Sequence, residues 1–173
     1  MSPSRSPLIR ALQAQDADYL RDESRLAGRA DSISLPSSEG EVREVLRATG
    51  ADRTPVTVQG GRTGIVGGAV PQGGHVLNLG RMDRILDPSL DPDPNADPGC
   101  RLLRVQPGLP LVRLNEWLQS VSGGLFFPPD PTESTAPWAA WPAPTPPGPG
   151  PWPTAPCAGT CKPCAWSCPT ARR

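Results

Sequence analysis

Five glycines stand within nine residues directly after a β-branched segment, and an arginine and a threonine lie among them. They are Gly60, Gly61, Gly64, Gly67 and Gly68. Glycine tolerates backbone angles that turn successive N–H groups toward one point, because it has no Cβ to clash. Such a nest of N–H groups binds phosphate or pyrophosphate. The run therefore predicts a loop that cradles the phosphates of a nucleotide cofactor.

The same glycines are also compatible with a plain turn between two strands, since glycine-rich turns close many hairpins. Their spacing differs from the G-x-G-x-x-G of a dinucleotide-binding turn. No G-K-[ST] follows either, so the run is not the phosphate loop of a nucleoside triphosphatase. The glycines alone leave both interpretations open.

A second group of reactive residues lies near the carboxyl end, where Cys157, Cys161, Cys164 and Cys168 are followed by Pro169. Clustered thiolates are ligands for zinc or for an iron–sulfur cluster. The first gap is one residue longer than in the bacterial ferredoxin pattern. One interpretation is a small binding protein with a proline-rich linker and a metal site. The only histidine, His75, precedes a strand, and we expect a structural role for it.

Composition limits the classes of partner. The 173 residues carry 17 basic and 17 acidic side chains, so no excess of positive charge indicates nucleic acid. No apolar run reaches the length of about 18 residues that a transmembrane segment needs. The first residues lack the apolar core of a secretory signal, and we expect a cytoplasmic location.

The composition changes sharply at Pro137. The segment 137–173 has 11 of the 25 prolines, four of the five cysteines, four of the five tryptophans and no acidic residue. Proline opposes both helix and sheet, so we expect this tail to be disordered. We divide the chain into an N-terminal helical segment (1–31), a globular part (32–136) and the tail (137–173).

The elements that position the glycine run follow from apolar spacing and turn residues. One or two short helices are expected between Leu8 and Leu26. A helix is expected from Glu39 to Thr49, with Val42, Val45 and Leu46 as its buried stripe, Ser37 or Ser38 as its cap and Gly50 as its end. A later helix carries Leu111, Leu114, Trp117 and Leu118 on one face. Strands are expected at Ser32–Leu35, at Pro55–Val58 (buried), at Val76–Leu79, at Arg84–Leu86 (short) and at Arg101–Val105. A loop spans Asp87–Gly99. This order predicts the α+β class, a small sheet flanked by helices.

Five segments, taken in order, resemble the PCMH-type FAD-binding domain of the vanillyl-alcohol-oxidase class of flavoproteins. They are Ser34–Ser37, Val56–Pro71, Leu77–Leu79 with Met82–Ile85, Val105–Gly108 and Phe126–Glu133. The chain is most similar in these segments to the flavin subunit of glycolate oxidase and to the D-lactate dehydrogenases. The resemblance covers about residues 32 to 135.

The resemblance implies that FAD is the cofactor and that a small 2-hydroxy acid is the substrate of the intact family. It implies that the pyrophosphate lies on the backbone N–H groups of Gly60, Gly61, Arg62, Thr63 and Gly64. Gly67 and Gly68 would allow close approach, and Pro129, Asp130 and Thr135 would lie near the isoalloxazine or ribityl part. It places the catalytic base C-terminal to this chain, so we name no catalytic residue. Other oxidase subunits are compatible with it.

The family continues after Pro131 with a second glycine-rich stretch, which the tail lacks. Reading each codon's third base with the first two of the next gives glycine at Trp138–Ala139 and alanine at Trp141–Pro142. A family-like continuation is among the readings that this shifted frame allows. We therefore interpret the tail as an out-of-frame product, and the chain as an N-terminal fragment that binds FAD weakly or not at all and does not turn over.

Overall fold

The computed structural model describes residues 6–92, 101–121, 125 and 127. Its elements mix helices and strands, which confirms the α+β class. In chain order they are β1 (Arg10–Ala11), a 3₁₀ helix (Ala14–Leu20), β2 (Ser32–Ser34), α1 (Glu39–Ala51), β3 (Val56–Gln59), β4 (His75–Asn78), β5 (Ile85–Pro92), β6 (Arg101–Val105) and α2 (Leu111–Val121).

The first sheet has four strands in the order β1-β2-β4-β3. Strands β2 and β3 both pair with β4 in parallel, whereas β1 pairs with β2 in the antiparallel sense. The register aligns Gln59, the last residue of β3, with Asn78, the last residue of β4. The glycine run therefore begins at the carboxyl edge of the parallel strands, where open sheets of this kind bind their ligands.

Helix α1 packs on this sheet through two residues of the predicted stripe, Val42 and Val45, whereas the third, Leu46, is 45% exposed. Val42 and Val45 are buried against Leu77, and each buried side chain of this size contributes about 1.5 to 3 kcal/mol. The Ser38 Oγ accepts a hydrogen bond from the Glu41 N–H at 3.3 Å and caps the helix. Both the helix and its serine cap are confirmed.

The predicted end of α1 at Gly50 is wrong, because the helix continues to Ala51. The Asp52 N–H still donates to the Ala48 carbonyl at 3.3 Å, and the left-handed residue that turns the chain is Arg53, with φ of 50°. A glycine inside a helix costs only about 1 kcal/mol relative to alanine, so Gly50 does not by itself end the helix.

The sequence predicts one or two short helices between Leu8 and Leu26. One helix is present, as the 3₁₀ helix Ala14–Leu20, but the residues before it form a turn, closed by the Ile9 N–H on the Ser6 carbonyl at 2.9 Å, and strand β1, which pairs Arg10 with Ile33. Leu8 and Ile9 pack against the α1 core from the end of this turn. Their spacing therefore reflects contact with the core and not a helical face.

Strand β3 has the predicted position but not the predicted burial. Val58 is 54% exposed, because β3 lies at the edge of the described sheet. Strands β2, β4 and β6 lie within one residue of their predicted bounds.

The second sheet pairs β5 with β6 in the antiparallel sense. The prediction of a short strand at Arg84–Leu86 with a loop from Asp87 is wrong up to Pro92, because the ladder continues through two register shifts. Such irregularities let a strand accommodate residues that a regular ladder rejects, such as Pro88. Residues 93–99 of the predicted loop lie outside the described residues.

Helix α2 covers the second sheet, as its apolar spacing predicts. Leu111, Leu114 and Leu118 are buried, and Ile85 and Phe127 pack against them.

Gly108 lies where the two halves of the domain meet. Its N–H donates to the Met82 carbonyl at 2.8 Å. A Cβ on Gly108 would lie 2.2 Å from the Leu79 carbonyl oxygen, so only glycine fits there.

Candidate functional site

The glycine run forms an open loop at the carboxyl end of β3. Gly64 and Gly68 face open space, since a Cβ built on either meets no atom within 4 Å. Arg62 and Gly67 have positive φ angles of 60° and 76°, which turn neighbouring peptide groups in alternate directions. The run is thus an exposed loop with open space beside its backbone.

The carbonyl oxygens and the N–H groups of the run differ in their hydrogen bonding. Three of its carbonyl oxygens accept hydrogen bonds: that of Gly60 from Asn78, that of Arg62 from Glu23 and that of Gly67 from the Val70 N–H of the same turn. The carbonyl of Ala69, directly after the run, accepts from Gln59. In contrast, the N–H groups of residues 61–68 donate to no other residue that the structure describes. Unpaired donors with open space before them favour an anion. The geometry therefore fits the phosphate site that the glycines predict.

Two buried amides hold the base of the loop. The Gln59 Nε2 donates to the Ala69 carbonyl at 2.6 Å and to the Tyr19 carbonyl at 2.8 Å. The Asn78 Nδ2 donates to the Gly60 carbonyl at 3.0 Å. Both side chains are almost fully buried, and both end parallel strands.

Residues 19–24 support the other side of the loop. The Arg62 guanidinium lies over the Tyr19 ring at 4.6 Å, and the Glu23 N–H donates to the Arg62 carbonyl at 3.3 Å. The Asp22 carboxylate accepts from the Ala69 N–H at 3.4 Å. Burial opposes ionisation of Asp22, but hydrogen bonds from Ser24 and from the Ala69 N–H hold the pKa of its carboxyl below the usual value. The Arg62 side chain thus contacts Tyr19, and only its backbone N–H lies in the glycine run.

His75 lies outside this site. It begins β4, three residues before Asn78, which places it about 10 Å along the strand from the glycine edge. The ring is fully buried, its Nδ1 lies 2.9 Å from the Ser32 Oγ, and burial lowers its pKa. Its position in the sheet agrees with the structural role expected from the sequence.

Several predictions concern residues outside the described part of the chain. They are the flavin-site residues Pro129, Asp130 and Thr135, the four cysteines of the tail, and the disorder of 137–173. Within residues 6–92 and 101–121, no group of three or more histidines, cysteines or acidic residues is placed to hold a metal ion. None of the described helices combines the length and the apolar character that crossing a membrane requires.

The sequence did not predict the residues that support the loop, which are Tyr19, Asp22, Gln59 and Asn78. A signal for two of them was present. Gln59 and Asn78 are polar residues that end apolar strands, and a buried polar group requires a hydrogen-bond partner nearby. Tyr19 and Asp22 are distant in sequence and carry no comparable signal.

A family model described as FAD binding domain matches residues 30–136. The chain belongs to this family. FAD is accordingly its cofactor. The N–H groups of residues 61–68, which donate to no other described residue, and the open space at Gly64 and Gly68 leave room for a diphosphate. The chain has the fold of the PCMH-type FAD-binding domain.

Among curated proteins, a D-lactate dehydrogenase of Anaerostipes hadrus is 35% identical over 69% of this chain and 24% of its own. A D-2-hydroxyglutarate dehydrogenase of Xanthomonas citri is 38% identical over 57% of this chain and 19% of its own. The glycolate oxidase subunit GlcD of Bacillus subtilis is 32% identical over 59% and 20%. The chain thus spans about a quarter or less of the length of these relatives.

Solved structures with lower identity share the fold. An alkyldihydroxyacetonephosphate synthase superposes with a TM-score of 0.61 at 17% identity, over 78% of this chain and 26% of its own. A glycopeptide hexose oxidase gives a TM-score of 0.55 at 21% identity, over 74% and 25%.

Proposed function

We propose that the glycine run binds the pyrophosphate of FAD. The observation that supports this proposal is that the domain binds carbonyl oxygens of the run, while the N–H groups of residues 61–68 donate to no other described residue. The donors would be the backbone N–H groups of Gly60, Gly61, Arg62, Thr63 and Gly64. Gly67 and Gly68 would let the cofactor approach the backbone closely.

We further propose that the chain is the N-terminal part of a FAD-dependent oxidoreductase that acts on a 2-hydroxy acid. The relatives named for D-lactate, D-2-hydroxyglutarate and glycolate support this substrate class. Bound FAD supplies the acceptor for the hydride of such a substrate. The described residues contribute binding and orientation, and this chain alone is not expected to turn over.

The rest of the proposal concerns the flavin ring, the division of the chain, its location and its partners. Pro129, Asp130 and Thr135 would lie near the isoalloxazine or its ribityl chain. We assign residues 32–136 to the FAD-binding domain and 1–31 to an amino-terminal segment that precedes it. A cytoplasmic location and association with other oxidase subunits complete the proposal.

The tail from 137 is proposed to derive from a neighbouring reading frame. The change from an ordinary to a proline- and cysteine-rich composition at Pro137 supports this proposal. Sequencing the gene across codons 130–140 tests it. An intact frame, together with iron or zinc in the purified protein, would favour the metal-binding alternative instead.

Pyrophosphate binding is best tested by amide NMR with the purified chain, because chemical shifts detect weak binding. FAD and ADP each contain a pyrophosphate, whereas FMN has a single phosphate and no adenosine. We expect FAD and ADP to shift the amides of residues 60–68, and FMN to shift them much less. Shifts confined to other residues, or equal shifts with FMN, would contradict the proposal.

A further inference from the structure

The buried carboxamide of Gln59 joins the two ends of the glycine run to the domain. Gln59 precedes the first glycine, and its Nε2 reaches the carbonyl of Ala69, which follows the last. The same nitrogen also donates to the Tyr19 carbonyl, so one amide connects the loop with the 3₁₀ helix. Since the side chain is 1% exposed, water does not replace these bonds.

We propose that Gln59 is a positioning residue for the FAD pyrophosphate, which holds the loop open with its N–H groups outward before the cofactor binds. The inference rests on the proposed function. It adds that affinity depends on a residue that does not touch the cofactor. A binding loop that is ordered in advance loses less conformational freedom when its ligand binds.

The chemistry of the site selects an uncharged amide at this position. Two carbonyl oxygens converge on one nitrogen, which must therefore supply two N–H donors, and the Nε2 of glutamine has two. An ionised glutamate has no donor and would place a negative charge between two carbonyls. Asparagine is one methylene shorter and does not reach both partners from the same backbone position.

Asn78 attaches the first glycine of the run to the domain by a second side-chain amide. Its Nδ2 donates to the Gly60 carbonyl at 3.0 Å, while its Oδ1 accepts from the Gly80 N–H at 2.9 Å. The two amides end adjacent parallel strands and bind the carbonyls on either side of the run. The attachments within the run itself are to carbonyl oxygens, and the N–H groups of residues 61–68, which donate to no other described residue, remain for the anion; the Ala69 N–H, directly after the run, donates to Asp22.

The test compares Gln59→Glu with Gln72→Glu, which introduces the same charge at an exposed side chain after the same loop. Two quantities are measured on the full chain, FAD affinity and amide hydrogen exchange without FAD. For Gln59→Glu we expect FAD binding weakened about tenfold or more. We also expect faster exchange of the Val70 N–H, whose partner is the Gly67 carbonyl. The β4 amides should exchange as in the wild type, and Gln72→Glu should change neither quantity.

A pH series adds a readout that general destabilisation would not produce. Protonation of the introduced carboxyl restores one of the two donors. The FAD affinity of Gln59→Glu should therefore rise as the pH falls from 8 to 6, relative to Gln72→Glu. A constant ratio between the two variants would count against the proposal.

The outcomes separate this inference from the proposed function. If the wild-type chain binds FAD and Gln59→Glu matches it in affinity and exchange, the role of Gln59 is refuted and the FAD site stands. If the wild type binds no FAD, the proposed site fails, and exchange at Val70 alone decides whether Gln59 holds the loop.

A second variant is used if Gln59→Glu does not fold. Should circular dichroism show that Gln59→Glu is unfolded, Gln59→Met replaces it, because methionine removes both donors at similar volume and without charge. Unfolding of both variants would overturn the proposal, since it would make Gln59 a requirement of the whole fold and not a support of the loop.

Discussion

Gly64→Ala should separate folding from cofactor binding. The added methyl group meets no atom within 4 Å, and Gly64 is not among the residues with positive φ. Alanine at such a position restricts the unfolded chain, so we expect stability to rise by about 0.4 to 1 kcal/mol. The same methyl group enters the space before the free N–H groups, where the pyrophosphate is proposed to lie. Loss of one hydrogen bond to a charged group costs about 1.5 to 3 kcal/mol, which corresponds to FAD affinity about ten- to a hundredfold lower.

The control for Gly64→Ala is Gly50→Ala. Gly50 is an exposed residue of α1, and its Cβ also meets nothing within 4 Å. The control should gain up to about 1 kcal/mol from helix propensity and leave FAD affinity unchanged. Urea unfolding gives the stability of each variant, and FAD titration followed by amide NMR gives the affinity. Wild-type affinity in Gly64→Ala would refute the placement of the pyrophosphate at this glycine.

Three further substitutions test the supporting structure. Gly108→Ala should cost about 1 to 3 kcal/mol by urea unfolding, because its Cβ would lie 2.2 Å from a carbonyl oxygen; an unchanged midpoint would contradict this close approach. The bidentate bond from Arg10 holds the pKa of Asp16 at about 2. Asp16→Asn should therefore cost about 1 to 2 kcal/mol at pH 7, since Arg10 is 39% exposed and partly screened. That difference should be present above pH 3.8 and vanish as the pH falls toward 2. Burial lowers the pKa of His75, so the folded state favours the neutral ring and stability should fall as the pH drops below 6.5. Thermal unfolding of His75→Gln should lack this dependence, and identical pH profiles for both proteins would exclude His75 as its source.

The sequence predicted those elements whose signal is local. Helix α1 has its serine cap and apolar stripe within 13 residues, and α2 shows an equally regular stripe. Errors arose where distant contacts override local preference. The irregular pairing of β5 with β6 places Pro88 in a strand, and Leu8 and Ile9 pack against the core from a turn and not from a helix.

The site shows the same division between local and distant information. The glycine run was identified because conformational freedom is a property of residue type, and its position after a strand was visible in the sequence. Its support by Tyr19 and Asp22 depends on how a segment about 40 residues earlier folds over the sheet. No spacing rule connects these positions, so only the three-dimensional arrangement shows them.

The difference in hydrogen bonding between carbonyl oxygens and N–H groups explains why a run of five glycines can be ordered without its ligand. Glycine loses more conformational freedom on folding than any other residue, so such a loop needs bonds from elsewhere in the domain. Bonds to its N–H groups would occupy the donors that an anion requires. The domain instead holds carbonyl oxygens, through the amides of Gln59 and Asn78 and the N–H of Glu23. Order and binding capacity are therefore compatible only because they use opposite ends of the peptide group, and a substitution that exchanges donor for acceptor at Gln59 should disturb both.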